Sequence, residues 1–167
     1  MSVFFSSDWH LNHHNIHKLR TFVTSEQHNE QMIIDSCKVL NKHSLLFLLG
    51  DIVFSDDGLK FISELPKCRK ILIKGNHDIE DTQKLLTVFE RVEGFIRYKN
   101  LWLSHCPIHP KELRSRFNVH GHVHYQTLDD ERYLNVCPER SIVNFQSYLV
   151  NLDQVKNYFK GVSNEKT

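Results

Sequence analysis

The sequence predicts an α/β sandwich with mixed sheets, on three observations. Short apolar runs alternate with segments of helical periodicity over residues 3–92. Strand-like runs dominate the second half of the chain, beginning with a hairpin pattern at 95–104. Residues with chemistry to offer come directly after apolar runs: Asp8 and His10, Asp51, Asn76 to Asp78, and His105. In α/β sheets the loops at strand carboxyl ends converge on one crevice, so these stations are expected to meet in space.

In chain order, Val3–Ser6 reads as a strand that opens into a loop through Asp8 and His10. Residues 27–41 read as a helix, with Ile33, Ile34, Cys37 and Leu40 at helical spacing. Leu45–Leu49 is a continuous apolar run, as a buried strand requires, and ends at Gly50-Asp51. Leu59–Leu65 reads as a short helix stopped near Pro66, and Lys70–Lys74 as a strand ending at Gly75-Asn76-His77-Asp78. Residues 80–92 read as a helix whose apolar stripe (Leu85, Leu86, Val88, Phe89, Val92) is core. Phe95–Tyr98 and Leu101–Ser104 form the hairpin, with Lys99-Asn100 as its turn. Phe117–His120 and Tyr133–Val136 are further strands, and Leu152–Lys160 is a terminal helix capped by Asn151.

A chain of 167 residues is the size of one domain, here read as 1–167. Hydrophobic residues make up 40% and charged residues 25%, which excludes a disordered chain, a collagen or a coiled coil. No apolar run nears the roughly 18 residues of a membrane span, so no membrane partner is expected. Met1-Ser2-Val3-Phe4-Phe5 lacks the basic and long apolar regions of a signal peptide. Cys37, Cys68, Cys106 and Cys137 are widely spaced and read as free thiols of a reducing, cytoplasmic compartment. Net charge is +1, which does not favour a nucleic-acid coater, although a locally basic groove stays open.

Histidine is the departure from ordinary composition. There are 12, concentrated in 10–17 and 105–124 with another at 77. The polar stations are Asp8-x-His10, Gly50-Asp51, Gly75-Asn76-His77-Asp78, His105 and Gly121-His122-Val123-His124. Imidazole, carboxylate and carboxamide without thiolate suit first-row divalent ions. This many donors exceeds one tetrahedral site and fits two ions better. His17, His28 and His43 read as solvated, Trp9 as packing, and Lys111, Arg114 and Arg116 as a solvated basic face or a substrate-phosphate contact. A Cys106–His105 nucleophile lacks an orienting third group.

These stations, in this order over residues 8–124, resemble the calcineurin-like metallophosphoesterase superfamily. Asp8-Trp9-His10-Leu11-Asn12-His13-His14-Asn15-Ile16 with Arg20-Thr21-Phe22, Leu103–Pro107 and Asn135-Val136 is similar to its small bacterial and phage branch, with Asn12 and Thr21 departing from that pattern. The resemblance implies an αββα four-layer sandwich of two mixed β-sheets flanked by helices. It implies two divalent ions, with manganese preferred over Fe, Ni, Zn, Co or Mg. Asp8, His10, Asp51 and His124 would hold the first ion, and Asp51, Asn76, His105 and His122 the second. His77 would face the phosphate and leaving group, and Asp78 would orient His77. His13, Asn15 and Arg20 would contact phosphate.

The implied activity is hydrolysis of a small phosphodiester, nucleotide or phosphomonoester by a hydroxide bridging the two ions. Ile52-Val53-Phe54 after Asp51 departs from the protein Ser/Thr phosphatase pattern. Two alternatives remain at this point. One is a nuclease on DNA or RNA, disfavoured by the near-neutral charge. The other is a non-catalytic scaffold of the kind the superfamily includes.

Overall fold

The computed structural model describes residues 1–164. In chain order its strands are β1 (Ser2–Ser6), β2 (Ser44–Leu48), β3 (Arg69–Ile73), β4 (Arg91–Glu93), β5 (Phe95–Tyr98), β6 (Leu101–Ser104), β7 (Phe117–His120), β8 (Tyr133–Asn135) and β9 (Val150–Asn151). The helices are α1 (Ile16–Leu19), α2 (Ser25–Val39), α3 (Asp56–Glu64), α4 (Thr82–Leu85), α5 (Pro138–Phe145) and α6 (Leu152–Asn164), with a 3₁₀ turn at Pro110–Glu112. One sheet has the order β4-β3-β2-β1-β9 and the other β5-β6-β7-β8. Both are mixed: β9 is antiparallel to β1 in a sheet otherwise parallel, and β5 antiparallel to β6. The architecture is thus α/β, two mixed sheets flanked by helices, as the sequence predicts.

The continuous apolar run of β2 is explained by its position. Neighbouring side chains point to opposite faces of a strand, and both faces here are covered. Leu45, Phe47 and Leu49 join Phe5, Ile71, Leu103 and Val119 between the two sheets. Leu46 and Leu48 join Met32 of α2, Ile62 of α3 and Leu72 on the outer face of the first sheet. Full burial of each such side chain contributes about 1.5–3 kcal/mol. Trp9 belongs to this outer core; it is fully buried and its Nε1–H donates to Ser6 Oγ at 2.7 Å. It is a packing residue.

Local signals hold at several ends. Thr24 Oγ1 accepts from Gln27 N at 3.1 Å and caps α2. Asn151 Oδ1 accepts from the N–H groups of Asp153 and Gln154 at 3.0 and 2.9 Å, the expected cap of α6. The expected helix over 80–92 is corrected. Only Thr82–Leu85 is helical, and the chain then turns and enters the sheet as β4. Glu90 N donates to Lys70 O and Lys74 N to Glu93 O, both at 2.8 Å. Pairing beside β3 wins over the helical spacing, helped by the β-branched Val92. Leu85 and Phe89 are still buried, as the apolar stripe requires, while Leu86 is exposed. Among the described residues, no helix is long and apolar enough to cross a membrane.

Candidate metal centre

The loops after β1 and β2 continue the pairing of their strands. Asp8 N donates to Gly50 O at 2.8 Å, and His10 N to Asp51 O at 3.0 Å. This puts Asp8, His10 and Asp51 at the carboxyl edge of the sheet, as the strand-end argument expects. The loop after β7 meets them: His122 N donates to Asp8 Oδ2 at 2.9 Å. Asp8, His10, Asp51, His122 and His124 all hold left-handed backbone, with φ of 51°, 52°, 54°, 72° and 49°. Non-glycine residues visit that region rarely, and such strain collects at functional sites. Two glycines make room for the carboxylates. A Cβ on Gly75 would lie 2.2 Å from Asp51 Oδ1, and one on Gly121 2.2 Å from Asp8 Oδ2.

The donor atoms form two neighbouring sets. In one, His10 Nε2 and His124 Nε2 lie 3.7 and 3.9 Å from Asp8 Oδ1. Asp8 Oδ1 and His10 Nε2 are buried and have no hydrogen-bond partner. In the other, His105 Nε2 lies 3.0 Å from Asn76 Oδ1, 3.1 Å from His122 Nδ1 and 3.3 Å from Asp51 Oδ2. Asp8, Asp51 and His105 also offer atoms within 4.8 Å of one another, so the two sets adjoin. Exposed Cys106 brings its Sγ within the same distance of donors on His105 and His122. Partial burial first, then the charges of Asp51 and Asp8, push its pKa up.

Hydrogen bonds behind the rings fix their orientation. His105 Nδ1 lies 2.8 Å from Leu49 O, which points Nε2 into the site. His124 Nδ1 lies 3.2 Å from Glu139 Oε1. Burial works to raise the pKa of Glu139, but the His124 contact and the Arg20 charge hold it down to about 2. The Glu139 partnership raises the pKa of His124, whereas burial lowers that of His10. Burial would also raise Asp8, yet His10, the charge on His105 and the His122 N–H bring it below the ordinary carboxylate value. Cys137, fully buried, donates its thiol to Asp8 Oδ2 at 3.1 Å.

Asp8, Asp51 and Asp78 are buried, and the side chain of Glu139 is 2% exposed. Among the described residues, Arg20 is the one guanidinium bonded to this group, through Glu139 and the Asp8 carbonyl. Against their burial, the His10 and His105 contacts hold Asp8 and Asp51 below the ordinary carboxylate value, so both stand as charged oxygen donors for a cation. With two orphaned buried donors and imidazole nitrogens facing one another at 3.1 Å, the residues fit divalent ions held by nitrogen and oxygen.

Three expectations are corrected. Asp78 does not orient His77: its Oδ2 accepts from the N–H groups of Asp51 and Gly75 at 2.8 and 2.9 Å, and its Oδ1 from Ile52 at 2.8 Å. The carboxylate clamps two site loops together by their backbones. Arg20, expected at the phosphate, instead holds Glu139 and two backbone carbonyls. Its side chain is 5% exposed, with Nε donating to Glu139 Oε1 at 3.0 Å and Nη1 to Trp9 O at 3.0 Å. His28, expected in solvent, is fully buried, 3.0 Å from Arg20 Nη1 and 3.2 Å from Asn29 Oδ1.

The remaining residues line the rim. His77 is exposed, its ring stacked on Phe54 at 4.8 Å and 6.0 Å from that of His10. His77 N donates to Asp51 Oδ1 at 2.8 Å. His13 is half-buried and edge-on to Phe54 at 4.5 Å, and its Nδ1 accepts from the N–H of exposed Asn15. Sequence reasoning missed Phe54, Cys137 and Glu139. The signal for Glu139 was Pro138 at the first turn of a helix, beside the Asn135-Val136 resemblance.

A family model described as calcineurin-like phosphoesterase matches residues 1–163. The chain belongs to that family. An uncharacterized protein of Methanocaldococcus jannaschii is 30% identical over 159 residues, covering 92% of this chain and 85% of its own. A crystal structure of a protein of unknown function from Aquifex aeolicus superposes with a TM-score of 0.72 at 24% identity, covering 93% of this chain and 98% of that one. The Pseudomonas putida nuclease MPE superposes with a TM-score of 0.50 at 18% identity, covering 73% of this chain and 61% of that one. At these identities the two structures speak for the fold alone.

Proposed function

We propose that this chain is a single-domain, binuclear metal-dependent phosphoesterase of the cytoplasm. Asp8, His10, Asp51 and His124 would hold one divalent ion, and Asp51, Asn76, His105 and His122 the other, with Asp51 shared. The observation that carries this is the convergence of orphaned, buried Asp8 Oδ1 and His10 Nε2 on His124 Nε2, beside the His105–His122–Asn76 set. Two bound ions supply neutralisation of phosphate charge and a lowered pKa for water.

The chain's own groups supply the rest. Asp78 and Glu139 hold the donor loops and rings in place. His77, exposed at the mouth and held over Phe54, presents a ring nitrogen to a phosphate ester and would protonate its leaving oxygen as general acid. His13 and Asn15 stand at the same mouth and would contact phosphate oxygens. The substrate class is a phosphate ester: a small phosphodiester, a nucleotide or a phosphomonoester. The nuclease among the structural neighbours brings nucleic acid within the same chemistry. A non-catalytic scaffold is disfavoured because the whole donor set is retained. Four unpaired cysteines accord with a reducing compartment.

The test is hydrolysis of bis-p-nitrophenyl phosphate and p-nitrophenyl phosphate after chelation and readdition of Mn, Mg, Ni or Zn. Asp51→Asn is the control. Metal-dependent turnover that disappears in the variant supports the reading, and the ratio between substrates gives the preferred class. A protein that binds no divalent ion by calorimetry overturns it.

A further inference from the structure

The candidate centre does not end at its donors. On the side of Asn76 and His105 it opens into a depression of about 480 Å³ that Phe95 and Ile108 also line. Those two residues line a second depression, of about 490 Å³, with Trp102, Arg97, Arg114 and Arg116. The two adjoin at Phe95 and Ile108, and this grooved stretch of surface leads away from the centre.

The sequence builds this face by alternation. Along the hairpin, Ile96, Leu101 and Leu103 point into the core between the sheets, which sends Phe95, Arg97 and Trp102 outward. Arg97 and Trp102 are paired across the strands, and the Phe95 and Trp102 rings lie 5.7 Å apart. Phe95 is 59% exposed, a large apolar plane left open to water. The Arg116 guanidinium sits over the Trp102 ring at 5.8 Å. Among the described residues, Glu112 is the one carboxylate lining this stretch, 3.6 Å from Arg114, and no carboxylate pairs with Arg97 or Arg116. A chain of net charge +1 has therefore gathered three arginines against one glutamate beside two aromatic rings, on a path that starts at the candidate centre.

We propose that this groove holds a single-stranded nucleic acid whose scissile phosphate lies at the candidate centre, a reading that rests on the phosphoesterase function above. Bases offer π-faces to Phe95 and Trp102, and successive phosphates offer charge to the arginines. A mononucleotide with its phosphate at the centre has no second phosphate to place here, whereas a strand has one at every step. Trp102 lies three residues before His105, about 10 Å along an extended strand, so the groove engages nucleotides next to the scissile one.

Binding is measured on chelated protein, so that it does not depend on turnover. The probe is fluorescein-labelled oligothymidylate of about 12 nucleotides, followed by anisotropy in about 50 mM salt. Saturable binding is expected, weakened roughly tenfold in Phe95→Ala/Arg97→Ala, with a shallower salt dependence and an unchanged thermal midpoint. Lys38→Ala, on α2 away from the groove, should bind as the parent does. The oligonucleotide should quench Trp102 fluorescence, and inorganic polyphosphate should not. No saturable binding, equal binding by parent and double variant, or equal affinity for polyphosphate overturns the proposal. Turnover of bis-p-nitrophenyl phosphate by the metal-loaded parent reports separately on the centre, so either reading can fail without the other.

Discussion

Asp78→Asn separates two roles for one carboxylate. If Asp78 oriented His77, the variant would keep its stability and lose turnover. The structure gives Asp78 a different task. Oδ2 takes N–H groups from Asp51 and Gly75, and Oδ1 takes that of Ile52. Asparagine has the same shape but a single acceptor oxygen. If that oxygen keeps the Ile52 side, the amide NH₂ faces the N–H groups of Asp51 and Gly75 in a buried site. Each buried donor left unsatisfied costs about 1–3 kcal/mol, so the variant loses roughly 2–6 kcal/mol. For a domain of this size each kcal/mol shifts Tm by about 2–4 °C, and a fall of roughly 10 °C is expected. That is a large share of a total stability of about 5–15 kcal/mol. The assay is thermal unfolding in chelator, so that metal affinity does not enter. A Tm within about 2 °C of the parent, with turnover abolished, would refute the clamp and restore the orienting role.

The same geometry sets three other outcomes. Arg20→Met leaves Glu139 buried without its guanidinium and should cost about 3–5 kcal/mol in denaturant unfolding; a change confined to KM would instead mark Arg20 as a substrate contact. Gly121→Ala pushes a methyl group against Asp8 Oδ2 and should lower divalent-ion affinity by about 10–100-fold in calorimetry, and unaltered affinity would show that Asp8 has room to move. Burial lowers the pKa of His28 from 6.5 to about 4, so the native state holds the neutral ring. Its stabilising share is then full above about pH 6.5, falls as the unfolded chain protonates, and levels off below about pH 4. The parent should lose about 2 kcal/mol between pH 7 and pH 5 that His28→Gln does not lose, as read from unfolding midpoints at the two values.

The candidate donors are marked in the sequence by the apolar runs before them, and a strand end fixes where its next side chains go. Asp8, Asp51 and His105 obey this rule directly. It does not say which groups hold the donors in place. Glu139 sits on a short helix whose only local mark is Pro138, and it matters because β8 delivers it to the back of His124. Arg20 is given as a phosphate contact by the Arg20-Thr21-Phe22 resemblance, which does not say what its guanidinium bonds. Its 5% exposure and its bond to Glu139, visible only in three dimensions, favour the supporting role. The same holds at 80–92, where the helical spacing is real but the edge of β3 offers pairing that the spacing cannot reveal.

The strained backbone and the buried acids meet at the same candidate centre. Five donor residues hold left-handed conformations, each costing on the order of 1 kcal/mol, and Asp8 and Asp51 lie close enough to share neighbours. The strained backbone does not improve packing, and it opposes folding of the chain by itself. The Asp78 clamp, the Arg20–Glu139 pair and the Gly121 approach offset that opposition from outside the centre. Ions that bind only the folded chain add stability that grows with the logarithm of their concentration. Fold and candidate centre are therefore coupled. Loss of the centre's cations should appear as a lower Tm before it appears as a change in secondary structure, and a chelator that leaves Tm untouched would show that the strain is borne by packing alone.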